Sequence, residues 1–233
     1  FIRNDTLPGV AIIQGSDPLD FKDKYPISFW SKYRSFFDVD KGLNYYFKKF
    51  PMSSIVLEDS NVNSPELREI LSARPEKYFI FSGGGIIKDE LLNKGKSFIH
   101  VHPGLLPQYR GSTCFYYSFL AQGSCGVSAF FMQSKIDRGD VIAQKIFDVP
   151  SLPEEDWYFY DLLFDPWMRA ELLGDIIKQY KQTKSFPCLL PKEQNQGEDY
   201  FIIHPVLKNL AIRKMIKQKS SCVSNEFAES DRR

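Results

Sequence analysis

The chain has 233 residues, of which 43% are hydrophobic, 25% are charged and 15% are aromatic, a composition typical of a folded domain rather than a disordered one. Its formal net charge is +1, so no excess of positive charge favours a nucleic acid, and no nucleic-acid partner is expected. No apolar run approaches the roughly 20 residues that span a bilayer, which argues against membrane insertion. Together with four cysteines that lack a CxxC pair, these features predict a cytoplasmic protein with reduced thiols.

Short apolar runs that alternate with helical patterns predict the secondary structure. Such alternation is typical of an α/β protein with a mostly parallel, open sheet and helices on both of its faces. The predicted strands span residues 9–14, 54–57, 78–82, 98–101, 127–132 and 141–147.

Helix signals lie between and after these strands. Pro65, preceded by a serine, has the residue type of a first helical position, and a short helix is predicted over 89–92. Gly123 ends an aromatic-rich helix over 112–121. Pro166 opens a longer amphipathic helix.

The composition changes after residue 187, where a polar segment precedes a helix with a basic face. We therefore predict an α/β domain over 1–187 and a carboxy-terminal extension over 188–233 that carries this basic amphipathic helix. Packing of the helix on the domain is favoured over contact with an anionic substrate or surface. Because the chain opens at Phe1 rather than Met, we expect an initial segment of the domain to be missing.

Two of the three histidines lie together at the end of one predicted strand. Side chains at i and i+2 of a strand point to the same face, so His100 and His102 should project together where Pro103 ends the strand. Two neighbouring imidazoles at such a place predict a functional site, either for acid–base chemistry or for a metal.

An acidic residue follows another predicted strand in the same way. Asp137 lies in the turn after strand 127–132, and ligands of open α/β sheets bind beyond the carboxyl ends of strands. It either shapes its turn or works with His102, because a carboxylate beside an imidazole fixes its tautomer and raises its basicity. His100, His102 and Asp137 also form a plausible trio of metal ligands.

A run of glycines, residues 83–85, follows the strand over 78–82. Glycine lets the backbone approach a flat or anionic ligand closely, although a tight strand-to-helix turn explains the same run. The run lacks the lysine of a P-loop and the spacing of a dinucleotide-binding motif. It therefore indicates a backbone-lined ligand rim without naming the ligand.

Three motifs together resemble one known family. The segments HPGLLPQYRG (102–111), GVS (126–128) and IDRG (136–139) resemble the folate-dependent formyltransferases, which include glycinamide ribonucleotide transformylase, methionyl-tRNA formyltransferase and the sugar-nucleotide N-formyltransferases. The resemblance spans roughly residues 50–150. It implies a Rossmann-like domain that binds 10-formyltetrahydrofolate as formyl donor and passes the formyl group to a primary amine.

The resemblance also implies roles for individual residues. His102 matches the catalytic histidine and Asp137 the catalytic aspartate. His100 stands where the family has a catalytic asparagine, and Gly104 stands where a serine is common. No metal is implied. The expected rim of the pterin pocket is formed by Gly84, Gly85, Ile86, Ile87 and Ile136, and the expected substrate-binding residues are Tyr109 and Arg110.

The acceptor is predicted by elimination within the family. An amino sugar nucleotide used in surface glycan synthesis is favoured, because a substantial RNA-binding domain and an early phosphate-binding glycine loop are not visible in the sequence. The expected partner is thus a small-molecule amine, and a homodimer is consistent with the family. Two alternatives stay open, namely a metal-dependent hydrolase that uses His100, His102 and Asp137, and a non-catalytic relative that binds folate or a sugar.

Overall fold

The computed structural model describes residues 10–14, 45, 48–49, 53–57, 59–83, 85–92, 95–149, 159–187, 189 and 197–216. The strands are β1 (Val10–Gln14), β2 (Ser53–Leu57), β3 (Tyr78–Ile80), β4 (Ser97–His102), β5 (Tyr109–Gly111), β6 (Cys125–Phe131), β7 (Val141–Phe147) and β8 (Glu198–Tyr200). The helices are α1 (Pro65–Ala73), α2 (Asp89–Leu92), α3 (Cys114–Gln122), α4 (Asp165–Thr183) and α5, which is helical over 205–216. One π-helical turn, Tyr160–Phe164, leads into α4.

The central sheet has the strand order β3-β4-β6-β7. Strands β3 and β4 are parallel, whereas β4–β6 and β6–β7 are antiparallel. Strands β1–β2 and β5–β8 form two further parallel pairs. The predicted α/β class and its six strands are confirmed, but the central sheet is mixed, because a short turn joins β6 to β7 and forces antiparallel pairing.

Helices cover both faces of the central sheet. The side chains of Ile99 and Val101 on β4 belong to a large buried cluster with α3, α4 and α5. On the opposite face Phe98 belongs to a smaller cluster with Leu71 of α1 and Leu91 of α2. Because strand side chains alternate, His100 and His102 share the face of Phe98.

The predicted helix starts and stops are largely confirmed. Ser64 caps α1 by accepting a 3.2 Å hydrogen bond from the Leu67 amide, and Gly123 ends α3 in the left-handed conformation, φ 72°. Pro166, however, lies within the first turn of α4, which begins at Asp165 and is preceded by the π-helical turn. A proline is tolerated there because the first helical amides lack intrahelical acceptors.

The described part of the carboxy-terminal extension packs against the domain. Ile203 and, on α5, Ala211 and Met215 belong to the large buried cluster, whereas Val206, Leu207 and Leu210 of the same helix are exposed. Lys214 Nζ donates a 2.9 Å hydrogen bond to the carbonyl of Leu120. The boundary at residue 187 stays a prediction. Within the described ranges, no helix has the length and apolarity that a membrane span requires.

Candidate active site

The two histidines occupy the end of β4, beside β6. In the antiparallel register His100 lies opposite Phe130 and His102 lies opposite Ser128. His102 is buried, with 2% of its side chain exposed, whereas His100 is half-buried. The strand therefore brings the two imidazoles to one face, as expected from their i, i+2 spacing.

Both ring nitrogens of His102 face protein oxygens. Nε2 lies 2.9 Å from the carbonyl oxygen of Tyr109, and Nδ1 lies 3.4 Å from Asp137 Oδ2. A carbonyl only accepts hydrogen bonds, so Nε2 carries a hydrogen and Nδ1 of the neutral ring is unprotonated. The Nδ1 lone pair thus faces Asp137 Oδ2. A proton on either atom can therefore form a hydrogen bond to the other.

The turn after β6 presents Asp137 to this site. Asp137 has the left-handed φ of 52°, and Gly139 lies so close to β6 that a Cβ there would be 1.6 Å from the Phe131 carbonyl oxygen. Asp137 Oδ2 also accepts a 2.7 Å hydrogen bond from the Gly111 amide. Because only glycine fits at position 139, the turn is tight and fixes the direction of the carboxylate.

Burial lowers the pKa of His102 below its usual range, and the charge of Asp137 opposes that shift. The charges of His100 and Arg169 lower the His102 pKa further. The ring is therefore neutral near pH 7 and available as a proton acceptor. Asp137, with 11% of its side chain exposed, is the more accessible member of the pair.

His100 is held differently. Its Nδ1 lies 2.9 Å from the carbonyl oxygen of Phe81, so Nδ1 carries the hydrogen and Nε2 of the neutral ring is an acceptor. Burial lowers the pKa of His100 as well. The neutral ring thus has no N–H at Nε2, whereas the asparagine expected at this position from the resemblance would offer a side-chain amide with two N–H donors.

Gly104 has no room for a larger residue. A Cβ there would lie 2.7 Å from His102 Nε2, 2.8 Å from Cys114 Cβ and 2.9 Å from the Tyr109 carbonyl oxygen. A serine at this position would therefore displace the hydrogen bond of His102. Burial raises the pKa of the adjacent Cys114 thiol to about 12, so this thiol is protonated and unreactive at neutral pH.

The loop after His102 is fixed by two polar residues that the sequence analysis did not select. Ser128 Oγ donates to the Gly104 carbonyl at 2.7 Å and accepts from the Leu106 amide at 2.9 Å. Gln144 Nε2 donates to Ser128 Oγ at 2.9 Å and to the Leu106 carbonyl at 2.7 Å. The Leu106–Pro107 peptide bond in this loop is cis. Ser128 lies in one of the recognised motifs, but nothing in the sequence indicates Gln144.

The predicted substrate-binding residues are buried in the described structure. Tyr109 is 5% exposed and stacks on Tyr200 with ring centroids 5.5 Å apart. Arg110 is 3% exposed, and its guanidinium donates to Asp199 Oδ1 at 2.6 Å and to the carbonyls of Pro107 and Gly197. These contacts favour a structural role for Arg110, and its substrate-binding role stays a prediction.

The predicted pterin rim divides into exposed and buried side chains. Ile86 and Ile136 are 60% and 54% exposed, whereas Ile87 is buried in the smaller cluster, so only its backbone can contact a ligand. Gly85 has the left-handed φ of 97°, and Gly84 lies outside the described residues. Within the described part of the chain, the backbone groups of Gly85 and Ile87 make no hydrogen bond to protein.

One further residue missed by the sequence analysis supports this rim. Asn63 Nδ2 donates to the Ile86 carbonyl at 2.9 Å, and Asn63 Oδ1 accepts from the Lys88 amide at 2.8 Å. The side-chain amide of Asn63 thus bonds to one backbone carbonyl and one backbone amide of the loop, as the backbone of a neighbouring strand does. In the sequence, Asn63 is indistinguishable from the polar residues that precede any helix.

Metal binding receives no support from these contacts. Among the described residues, no three histidine, cysteine, aspartate or glutamate side chains are arranged to hold a metal ion. His102 directs Nε2 at the Tyr109 carbonyl, so only Nδ1, which faces Asp137 Oδ2, could act as a metal ligand without loss of that hydrogen bond.

Comparison with known proteins connects this site to one family. Residues 46–157 match the family described as Formyl transferase, and this range includes the glycine rim, both histidines and Asp137. A methionyl-tRNA formyltransferase from Finegoldia magna is 28% identical over 179 residues, which are 74% of this chain and 54% of that protein. The chain spans about half the length of the curated relatives it matches.

Two solved structures share the fold. The formyltransferase PseJ from Anoxybacillus kamchatkensis, in complex with UDP-4,6-dideoxy-4-formamido-L-AltNAc and tetrahydrofolate, has a TM-score of 0.52 at 15% identity, covering 83% of this chain and 86% of that one. A 4-N formyltransferase from Francisella tularensis has a TM-score of 0.51 at 16% identity, covering 89% and 87%.

Proposed function

We propose that the chain transfers the formyl group of 10-formyltetrahydrofolate to a primary amine, since residues 46–157 match the family described as Formyl transferase. The observation that carries the proposal is the buried contact between His102 Nδ1 and Asp137 Oδ2 at 3.4 Å. Both groups lie at strand ends, on the face that the predicted ligand rim also borders.

In formylation of an amine, the bond from the formyl carbon to N10 of the folate breaks and N10 takes up a proton, while the attacking nitrogen forms its new bond to that carbon. The attacking nitrogen loses a proton in this reaction, so a proton acceptor is required. Asp137 is the more exposed member of the pair and takes this proton, which His102 Nδ1 then shares. The hydrogen bond of Nε2 to the Tyr109 carbonyl keeps Nδ1 as the unprotonated nitrogen. The low pKa of the buried His102 keeps the ring neutral before the proton arrives.

The described rim suits a flat, polar ring system such as a pterin. Gly85 and Ile87 present backbone donors and acceptors, and the exposed side chains of Ile86 and Ile136 offer apolar cover. When bound there, the folate supplies the formyl group. Asn63 holds the rim in place through its two hydrogen bonds.

For the acceptor we propose an amino sugar linked to a nucleotide. Asp199 pairs with both Arg110 and Arg138. In the turn between β6 and β7, Lys135 and Arg138 are accompanied by Asp137 and Asp140, so this region offers little excess positive charge to a large polyanion. The net charge of +1 agrees. The relative from Finegoldia magna acts, by its name, on methionyl-tRNA, and methionyl-tRNA is therefore the second candidate.

The test is an acceptor panel. The full chain is incubated with 10-formyltetrahydrofolate and either amino sugar nucleotides or methionyl-tRNA, and release of tetrahydrofolate is followed. We expect turnover with an amino sugar nucleotide, and loss of about 10² in kcat for Asp137→Asn. Asp175→Asn, a change in an exposed ion pair with Lys145, is the matched control and should retain activity.

Other outcomes of the same panel are equally informative. Turnover with methionyl-tRNA alone contradicts the proposed acceptor but retains the reaction. Folate binding without turnover across the panel contradicts the reaction and supports a binding protein. Absence of both folate binding and turnover contradicts the whole proposal.

A further inference from the structure

A short strand from the carboxy-terminal part of the chain, β8, lies against β5 and the loop that follows His102. Strand β8 pairs in parallel with β5, and Glu198 donates its amide hydrogen to the Gln108 carbonyl at 3.1 Å. At the other end of the pair the Ser112 amide donates to the Tyr200 carbonyl at 2.8 Å. Strand β8 lies beyond the residues matched by the family, 46–157, and no role in the site follows from that match.

Asp199, in the middle of β8, bridges two arginines from different turns. Its Oδ1 accepts from Arg110 Nε at 2.6 Å, and its Oδ2 accepts from Arg138 Nη2 at 2.9 Å. Arg110 belongs to β5, and Arg138 follows Asp137 directly. One carboxylate therefore connects the turn after β4 to the turn after β6.

These two turns supply the groups that contact His102 and Asp137. The β5 segment carries the Tyr109 carbonyl that holds His102 Nε2 and the Gly111 amide that donates to Asp137 Oδ2. The other turn carries Asp137 itself. A change in the distance between the turns therefore changes the distance from His102 to Asp137.

The contact of β8 with these turns is close at the level of the backbone. A Cβ at Gly111, φ 95°, would lie 2.2 Å from the Tyr200 carbonyl oxygen, and one at Gly197, φ 110°, would lie 2.0 Å from the Pro107 carbonyl oxygen. Two glycines are needed for this approach. The strand thus fits against the loop without space for side chains between them.

From these contacts we propose that Asp199 is a positioning residue, which fixes the distance between His102 and Asp137 by joining Arg110 to Arg138. Its effect on turnover rests on the proposed formyl transfer, whereas its effect on geometry does not. Asp199 is exposed, at 61%, whereas the Arg110 side chain is buried, at 4%. Removal of Asp199 takes a carboxylate away from a buried guanidinium and can lower stability, so the test must separate orientation from stability.

The first arm of the test measures geometry without any substrate. Amide hydrogen exchange is followed by NMR in the full chain, in Asp199→Ala and in the control Asp175→Ala. Loss of the bridge should speed exchange of the Gly111 amide by about tenfold relative to amides of β6, because its hydrogen bond to Asp137 weakens. Equal acceleration of Gly111 and β6 amides would show general destabilisation and overturn the proposal.

The second arm measures coupling in catalysis. If Asp199 acts through Asp137, Asp199→Ala alone lowers kcat/KM by about tenfold relative to the wild type. The same substitution added to Asp137→Asn then has almost no further effect. Asp199→Asn, which keeps an oxygen acceptor, should retain more activity than Asp199→Ala. An equal loss in both backgrounds would overturn the proposal. If the wild type shows no turnover, the proposed reaction fails, and the exchange arm alone decides the positioning role.

Discussion

At the scale of single residues, the partner of each histidine nitrogen determines what that histidine can do. His100 and His102 both give one N–H to a backbone carbonyl, but at different ring positions, Nδ1 to Phe81 and Nε2 to Tyr109. The remaining nitrogen is an acceptor in each neutral ring. His102 can therefore receive a proton, whereas neutral His100 cannot donate one from Nε2 to a substrate oxygen.

Replacement of His100 by asparagine should raise the activity at neutral pH. An asparagine amide offers N–H donors at any pH, whereas His100 donates from Nε2 only when protonated, and burial lowers its pKa. We expect kcat at pH 7.5 to rise by about tenfold in the variant, since one donor to a developing oxyanion is worth that much or more. Steady-state kinetics from about pH 5.5 to about pH 8.5, roughly one and a half units on either side of neutrality, measure the change.

The exposed His204 provides the control, because His204→Asn removes an imidazole that lies away from the strand end. A fall in activity for His100→Asn at neutral pH would show that His100 itself has an adapted catalytic role. No change at any pH would show that position 100 does not contact the reacting oxygen.

The sequence predicts where the two histidines lie but not which atoms their ring nitrogens bond to. The i, i+2 spacing correctly predicts that His100 and His102 share a face, because strand geometry alone decides it. Their partners are backbone carbonyls of Phe81 and Tyr109, and every residue has a carbonyl. Side-chain identity therefore carries no signal for the hydrogen bonds that select the tautomers.

At the scale of elements, strand β6 supports the loop that follows β4. Ser128 is fully buried, and its hydroxyl bonds to Gly104, Leu106 and Gln144. The loop has no secondary structure of its own before β5, so its backbone groups depend on these side-chain partners.

Replacing Ser128 tests this dependence. Ser128→Ala leaves a buried amide, a carbonyl and a side-chain amide without their shared partner, and we expect a loss of about 2 kcal/mol in the free energy of unfolding. Ser118→Ala is the matched control, because Ser118 is also buried but its hydroxyl bonds only to the Phe115 carbonyl of its own helix. Urea unfolding followed by fluorescence measures both. Similar losses for the two variants would contradict a special role for Ser128.

The elements that were predicted correctly are those whose pattern is local. Strands β4, β6 and β7 have apolar runs, and α1 and α3 have caps that fix their ends. Strand β8 was not predicted, because Glu-Asp-Tyr has no alternation of apolar residues, and its conformation is fixed by pairing with β5. The antiparallel pairing of β4 with β6 was missed for the same reason, since strand order depends on tertiary contacts.

At the scale of the whole molecule, the buried His102 and the half-buried His100 link stability to pH. Burial lowers the pKa of both His100 and His102 in the folded state from the ordinary value of 6.5. Below that value the unfolded chain binds protons that the folded chain does not, so the free energy of unfolding falls as the pH falls. Above about pH 6.5 these groups make no difference to stability.

We therefore expect the wild type to be less stable at pH 5.5 than at pH 7.5, by an amount that shrinks when His100 is replaced by asparagine. Urea unfolding at the two pH values gives the difference, and Ser118→Ala, which removes no titratable group, is the control that should retain the full pH dependence. The buried Asp165, whose pKa burial raises, acts in the opposite direction and is unchanged among these variants. An identical pH dependence in all of them would contradict the assignment to the histidines.

The position of β8 in the chain has a consequence for how the protein becomes active during synthesis. Asp199 follows Arg138 by 61 residues and Arg110 by 89 residues, so both catalytic turns leave the ribosome long before the strand that joins them. If Asp199 has the proposed positioning role, His102 and Asp137 are aligned only after β8 has been made and has docked on β5. Among the described strands β8 is the last in the chain, so the proposed alignment would be a late step of folding during synthesis.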